Sequence, residues 1–241
     1  MKNYAVIIAG GVGARMNQEI PKQFINVYDK PVIIYTLEAF QKHPQIDGIL
    51  VVCIDGWHDM LRAYCKQFDI TKLMDVVAGG DSAQESIRNG IYALEGKLDD
   101  DDNVIIHDGI RPLVDDNVLS DIIRVCAEHG NGVTSLPYNE QIFRVSEDDP
   151  GTTTEYIPRE TLRRVSTPQA YRFGVIDRAY HEAFEKKIGI YGSSYANTMM
   201  VELGHRLYFA AGSDKNIKLT TKDDLEMFKS YITSDKDTWL K

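Results

Sequence analysis

The densest chemistry lies near the start of the chain, where Ala9-Gly10-Gly11-Val12-Gly13-Ala14-Arg15-Met16 is followed by Pro21-Lys22-Gln23-Phe24. Glycines let backbone N–H groups approach an anion closely and adopt positive φ. A guanidinium such as Arg15 can fork onto phosphate oxygens, and an ammonium such as Lys22 can set a point charge against them. A turn bounded by Gly10, Gly11 and Gly13, with two cations just beyond it, predicts a phosphate cradle. Two familiar glycine patterns do not fit. G-x-x-x-x-G-K-[ST] is absent, and G-x-G-x-x-G begun at Gly11 needs a glycine where Met16 stands, which weakens an NAD-binding oxidoreductase. A turn that merely packs a helix on a sheet would leave Arg15 and Lys22 unexplained.

Three further charges stand apart. Asp108 ends the apolar run 104–107, at the C-terminal edge of a strand, where open α/β sheets place their ligands. A lone carboxylate near phosphates suits Mg²⁺; its alternative is a capping aspartate. Arg111, held by Pro112, can pair with Asp108 or with a substrate phosphate. Lys218 follows the last strand pattern and precedes a helix start; its alternative is a surface lysine. The six histidines offer no ligand pair at helical spacing, against a histidine metal site.

The elements that must position these residues alternate along the chain. Apolar runs at 4–9, 48–54, 74–78, 104–107, 132–136 and 206–210 predict strands. Helical patterns span 31–43, 58–68, 82–94, 118–128, 174–185, 196–203 and 222–232, with Asp81 or Ser82 capping the third and Thr220 or Thr221 the last. Strand-helix-strand order implies a mostly parallel sheet with right-handed crossovers. The acidic run 99–102 reads as a solvated loop. Residues 138–168 break the alternation and predict an extended arm that a partner subunit would cover.

Bulk composition bounds the rest. The 241 residues are 43% hydrophobic and 26% charged, with a formal net charge of −9, as in an ordered globular protein. That charge argues against broad binding to nucleic acid or an anionic membrane surface, and no apolar run reaches the roughly 18 residues of a membrane span. Three cysteines, Cys53, Cys65 and Cys126, are an odd number without metal-type spacing and predict a reduced, cytoplasmic setting.

Five segments in order resemble one family, the cytidylyltransferases that activate polyol phosphates: AGG-x-G-x-R-M with PKQF; Gly79-Gly80-Asp81 with Ser86; His107-Asp108-Gly109-Ile110-Arg111-Pro112; Thr167-Pro168-Gln169; and Asn216-Ile217-Lys218-Leu219-Thr220. The family acts on 2-C-methyl-D-erythritol 4-phosphate or ribitol 5-phosphate, and the AGG and PKQF spellings lean towards ribitol 5-phosphate. The resemblance implies an α/β, Rossmann-like single domain over 1–241 with a twisted, mostly parallel sheet and the 138–168 arm used for homodimerisation. It implies CTP and a polyol phosphate as substrates, with Mg²⁺ on Asp108. Arg15 and Lys22 would grip the triphosphate, and Lys218 the α-phosphate. Ala9, Gly10, Gly80, Asp81 and Ser86 would line the cytosine and ribose; Arg159 and Thr167 would bind the polyol phosphate. Two places differ: Ala83 or Gln84 stands where the family often has arginine, and Ser194-Tyr195 where it has Thr-Asp. An inactive nucleotide-binding protein is the competing expectation.

Overall fold

The computed structural model of the chain describes residues 1–11, 20–192 and 195–234. Gly13, Arg15 and Ser194 lie outside the described residues. In chain order the elements are β1 (Asn3–Ala9), β2 (Asn26–Val27), β3 (Lys30–Pro31), α1 (Val32–Lys42), β4 (Gly48–Cys53), α2 (His58–Gln67), β5 (Leu73–Ala78), α3 (Ala83–Tyr92) and β6 (Asn103–Asp108). There follow α4 (Asp116–His129), β7 (Asn131–Pro137), β8 (Ile142–Arg144), β9 (Glu155–Ile157), β10 (Arg163–Arg172), α5 (Phe173–Lys186), α6 (Ala196–Glu202), β11 (Phe209–Ala211) and α7 (Lys222–Ser234).

Seven strands form one sheet in the order β11-β7-β10-β6-β1-β4-β5. The sheet is mostly parallel, as expected, but β10 runs antiparallel to both neighbours, β6 and β7. Alternation along a buried strand sends successive side chains to opposite faces. Ala5, Ile7 and Ala9 of β1 therefore join one core with α1, α2 and α4, while Val6 joins a second core with α3, α5 and α6. The result is three layers, helices on both faces of the sheet. A smaller cluster, Val27, Val32, Ile110, Leu219 and Phe228, seats α7 beside the end of β6.

The topology sets the position of the site. From β1 the chain builds outward through β4 and β5, then returns to place β6 on the other side of β1. Strand order thus reverses between β1 and β6, and ligands of open α/β sheets bind outside the C-terminal ends of the strands at such a point. The register brings Ile8 opposite Asp108 there.

The stretch 138–168 divides into two parts. Residues of β8 and β9 form a separate two-stranded antiparallel hairpin. Arg163, Arg164 and Val165, by contrast, pair with Pro137, Leu136 and Ser135 and enter the main sheet as the start of β10. The sequence hides that strand because its first half is exposed, and its register shifts between Val165 and Gln169, so no single alternation runs through it. The acidic run 99–102 is also corrected in part. Asp102 is buried, accepting hydrogen bonds from the backbone N–H groups of Lys2 at 2.7 Å and Asp99 at 3.2 Å, which ties the chain's start to β6. The last strand is shorter and later than expected, at Phe209–Ala211.

Candidate active site

A cleft of about 590 Å³ opens at the switch point. Its walls come from the segment after β1, the loop before α3, the end of β6, β10, the start of α6 and Lys218.

The first wall is built around Gln23. This side chain is buried, and its amide donates to the carbonyls of Ala9 at 2.7 Å and Gly11 at 3.1 Å. Its neighbour Phe24 stacks on Trp57 with ring centroids 4.5 Å apart. The single helical turn that begins at Lys22 is therefore fixed from both its later residues, and Lys22 lines the cleft with Ala9, Gly10 and Gly11.

The second wall meets the first backbone to backbone. A Cβ on Gly79 would fall 3.3 Å from the Cα of Gly10, so the two turns could not approach this closely with larger residues. Ser86 braces the second turn: its hydroxyl accepts from the Gly80 N–H at 3.0 Å. Ser82 caps α3 through a reciprocal pair with Glu85, as the sequence pattern predicts, and leaves Gly80 and Asp81 facing the cleft.

The third wall is a charge cluster at the end of β6. Asp108 Oδ2 accepts from Arg111 Nε at 2.9 Å, and Asp108 Oδ1 lies 3.2 Å from Lys218 Nζ. Arg111 also donates to the Asn216 carbonyl at 2.7 Å, which ties the 216–218 segment to β6. The Thr167 hydroxyl accepts from the Asp108 N–H at 3.1 Å and faces Asp108 Oδ2 at 3.3 Å. Burial alone would raise the Asp108 carboxyl; the Lys218 ammonium and Arg111 guanidinium outweigh it and hold it below the usual carboxylate range. Asp108 is thus an anion near neutrality. His107 is the reverse case: burial pushes it down to about 4, so it is neutral and donates Nε2–H to the Arg111 carbonyl at 3.1 Å.

The structure brings together most of the residues expected from sequence. Ala9, Gly10, Gly11, Lys22, Gly80, Asp81, Ser86, Asp108, Thr167 and Lys218 all line this one cleft. Arg111 does not; it stands behind Asp108 with 11% of its side chain exposed. Arg159 is not brought there either. It lies beside the hairpin, 47% exposed, donating to the Asn139 carbonyl at 2.8 Å. Sequence reasoning gave no role to Gln23, Gln169 or Tyr195, which also line the cleft. All three stand in segments singled out from sequence, PKQF, Thr167-Pro168-Gln169 and the Ser194-Tyr195 departure, but the contacts that place them join distant parts of the chain.

The geometry can be set beside known proteins. Residues 4–234 match the family model described as IspD, 2-C-methyl-D-erythritol 4-phosphate cytidylyltransferase. A ribitol-5-phosphate cytidylyltransferase of Lacticaseibacillus paracasei is 59% identical over 95% of this chain and 97% of that protein. A 2-C-methyl-D-erythritol 4-phosphate cytidylyltransferase of Clostridium novyi is 35% identical over 98% of both. A crystal structure of 4-diphosphocytidyl-2C-methyl-D-erythritol synthase from Anaerococcus prevotii superposes with a TM-score of 0.82, at 20% identity and 96% coverage of each chain, and shares the fold. With a family model matched over nearly its whole length and relatives of this similarity, the chain belongs to the IspD-type cytidylyltransferase family, which are nucleotidyltransferases.

Proposed function

We propose that this chain transfers the cytidylyl group of CTP to D-ribitol 5-phosphate, giving CDP-ribitol and pyrophosphate. The observation that carries the chemistry is the convergence of Lys22, Lys218 and Asp108, distant in sequence, on one cleft at the switch point. The acceptor rests on the relatives: 59% identity to a ribitol-5-phosphate enzyme against 35% to one named for 2-C-methyl-D-erythritol 4-phosphate.

In this reaction a phosphate oxygen of the acceptor attacks the α-phosphorus in line. The new P–O bond forms as the bond to pyrophosphate breaks, and the electron pair leaves with pyrophosphate. No side chain acts as nucleophile, so the protein contributes position and charge. Lys22, with Arg15, grips the triphosphate and offsets charge on the leaving group. Lys218 faces the α-phosphate. The turn of Gly10, Gly11 and Gly13 cradles the phosphates, and Ala9, Gly10, Gly80, Asp81 and Ser86 hold the cytidine end, where backbone groups select a pyrimidine by shape. Thr167, and Arg159 reaching from the arm into the cleft of a second copy, take the acceptor phosphate. Arg111 acts through Asp108.

A divalent cation fits this lining on two grounds. The described lining has Lys22 and Lys218 against Asp55, Asp81 and Asp108, so its own charge does not favour a triphosphate. Asp108 is a hard anionic oxygen donor held in place by two cations, suited to an ion that takes its remaining ligands from phosphates and water. Asp108 would hold Mg²⁺, and the bound ion would supply positive charge against that of the phosphates.

The whole chain serves as one nucleotidyltransferase domain, working as a homodimer in the cytoplasm. Supporting the dimer, Phe143 and Tyr156 of the hairpin are 57% and 63% exposed, apolar surface that a second copy would cover. Supporting the compartment, Cys53, Cys65 and Cys126 are free and buried, and no helix among the described residues is long and apolar enough to cross a membrane.

Pyrophosphate release from CTP and Mg²⁺ with a panel of polyol phosphates tests the proposal. Ribitol 5-phosphate should give the highest kcat/KM. Turnover only with 2-C-methyl-D-erythritol 4-phosphate would reassign the acceptor, and the absence of release with every acceptor, despite CTP binding, would favour an inactive nucleotide-binding protein.

A further inference from the structure

Behind the cleft wall formed by Ala83 lies Gln84, a buried amide in the first turn of α3. Both its N–H groups are used. One donates to the Gly189 carbonyl at 3.1 Å and the other to the Tyr195 carbonyl at 3.0 Å. Its oxygen accepts from the Tyr180 hydroxyl at 2.9 Å. One side chain thus fixes the residues that leave α5 and enter α6. Gly189 has φ +66°, and a Cβ there would fall 2.7 Å from the Cα of Met199, so this backbone is already pressed against α6. Tyr195 lines the cleft, and its ring lies 5.3 Å from Lys218 Nζ, a cation–π distance. Lys218 in turn is the ammonium 3.2 Å from Asp108.

We propose that Gln84 is a positioning residue for the reaction: by holding Tyr195 it keeps an aromatic face against the Lys218 ammonium and so sets where that charge stands in the cleft. Gln84 touches no substrate. A buried amide with both donors and its oxygen bonded is rigid, and it passes that rigidity through Tyr195 to a lysine that the Asp108 carboxylate holds from the other side. The catalytic consequence rests on the assignment of Lys218 to the α-phosphate. The placement of Lys218 by Gln84 does not. α6 has a second anchor, since the Asn197 N–H donates to Gln169 Oε1 at 3.1 Å, so loss of the Gln84 amide leaves the start of α6 attached to the sheet.

Two readouts separate these levels. In nucleotide-free protein, a brief acetic anhydride pulse followed by mass spectrometry measures the reactivity of Lys218 relative to Lys229. Gln84→Met and Tyr195→Leu should each raise it several-fold, and Tyr195→Phe, which keeps the ring, should leave it at the wild-type value. In steady-state pyrophosphate release, Gln84→Met should lower kcat by roughly 10- to 100-fold with little change in the KM for CTP, because the displaced charge acts in the transition state. The double variant Gln84→Met/Tyr195→Leu should be no slower than Tyr195→Leu alone, since both act through one contact. Unchanged Lys218 reactivity in Gln84→Met, or losses that multiply in the double variant, would overturn the proposal. If the wild-type protein releases no pyrophosphate, the functional assignment fails while the acetylation result still decides the role of Gln84.

Discussion

Arg111 and Arg159 carry the same charge in two unlike settings. Arg111 is 11% exposed and donates to a carboxylate and a backbone carbonyl behind β6. Arg159, by the hairpin, is 47% exposed and stands 3.6 Å from the carboxylate of Glu160. At the end of β6 each charge is fixed by others that are themselves fixed: Thr167 and Lys218 on Asp108, Asn216 on Arg111. Around β8 and β9 the pairs are in water, as with Arg144 and Glu155, 64% and 60% exposed. The two regions are built for different ends. A desolvated, cross-braced cluster holds charge in place before substrate arrives, which is what electrostatic catalysis requires. The hairpin of β8 and β9 keeps its charges solvated and its aromatic rings, Phe143 and Tyr156, exposed.

Substitutions break or sharpen that contrast. The largest effect is expected in the cleft. Lys22→Ala or Lys218→Ala should each slow pyrophosphate release by about 3–4 kcal/mol of barrier, since each removes a cation facing developing charge; Lys22→Ala should melt near the wild-type temperature, whereas Lys218→Ala, which takes a cation from the largely buried Asp108, should melt lower. Next comes Arg111→Met. It strips a largely buried partner from Asp108 and should cost about 3 kcal/mol in urea denaturation. Arg159→Ala should leave that stability within about 0.5 kcal/mol of wild type and instead raise the acceptor KM by about tenfold, as a lost phosphate contact does. Smallest is Arg144→Ala, whose exposed pair should contribute less than about 0.5 kcal/mol by the same measurement. If Arg144→Ala and Arg111→Met destabilised equally, the distinction between the two regions would be lost.

Much of this site was legible in sequence because its residues cluster where strands end. Gly10, Gly80 and Asp108 each follow directly on, or close, an apolar run, and burial of that run dictates where they emerge. What stayed hidden depends on tertiary contact. Gln84 and Gln169 stand in segments that the motifs mark, but their roles rest on distant partners: Gly189, Tyr195 and Tyr180 for one, Asn197 for the other. Asp102 looked like one member of an acidic run, and only the fold shows that it accepts the Lys2 N–H. β10 was mistaken for the end of the arm because half of it is exposed and its register shifts midway. Local pattern reports elements that bury a continuous face; it is silent on single polar side chains that bind two elements together.

The proposed chemistry requires the cleft between β1 and β6 to hold a nucleoside triphosphate. A crystal structure of the protein soaked with CTP and Mg²⁺ tests this most directly. The triphosphate should lie between Gly10–Gly11 and Lys218, with Lys22 on its phosphates and the α-phosphate within hydrogen-bonding reach of Lys218. Ordered CTP bound elsewhere, with Lys22 and Lys218 making no phosphate contact, would contradict it.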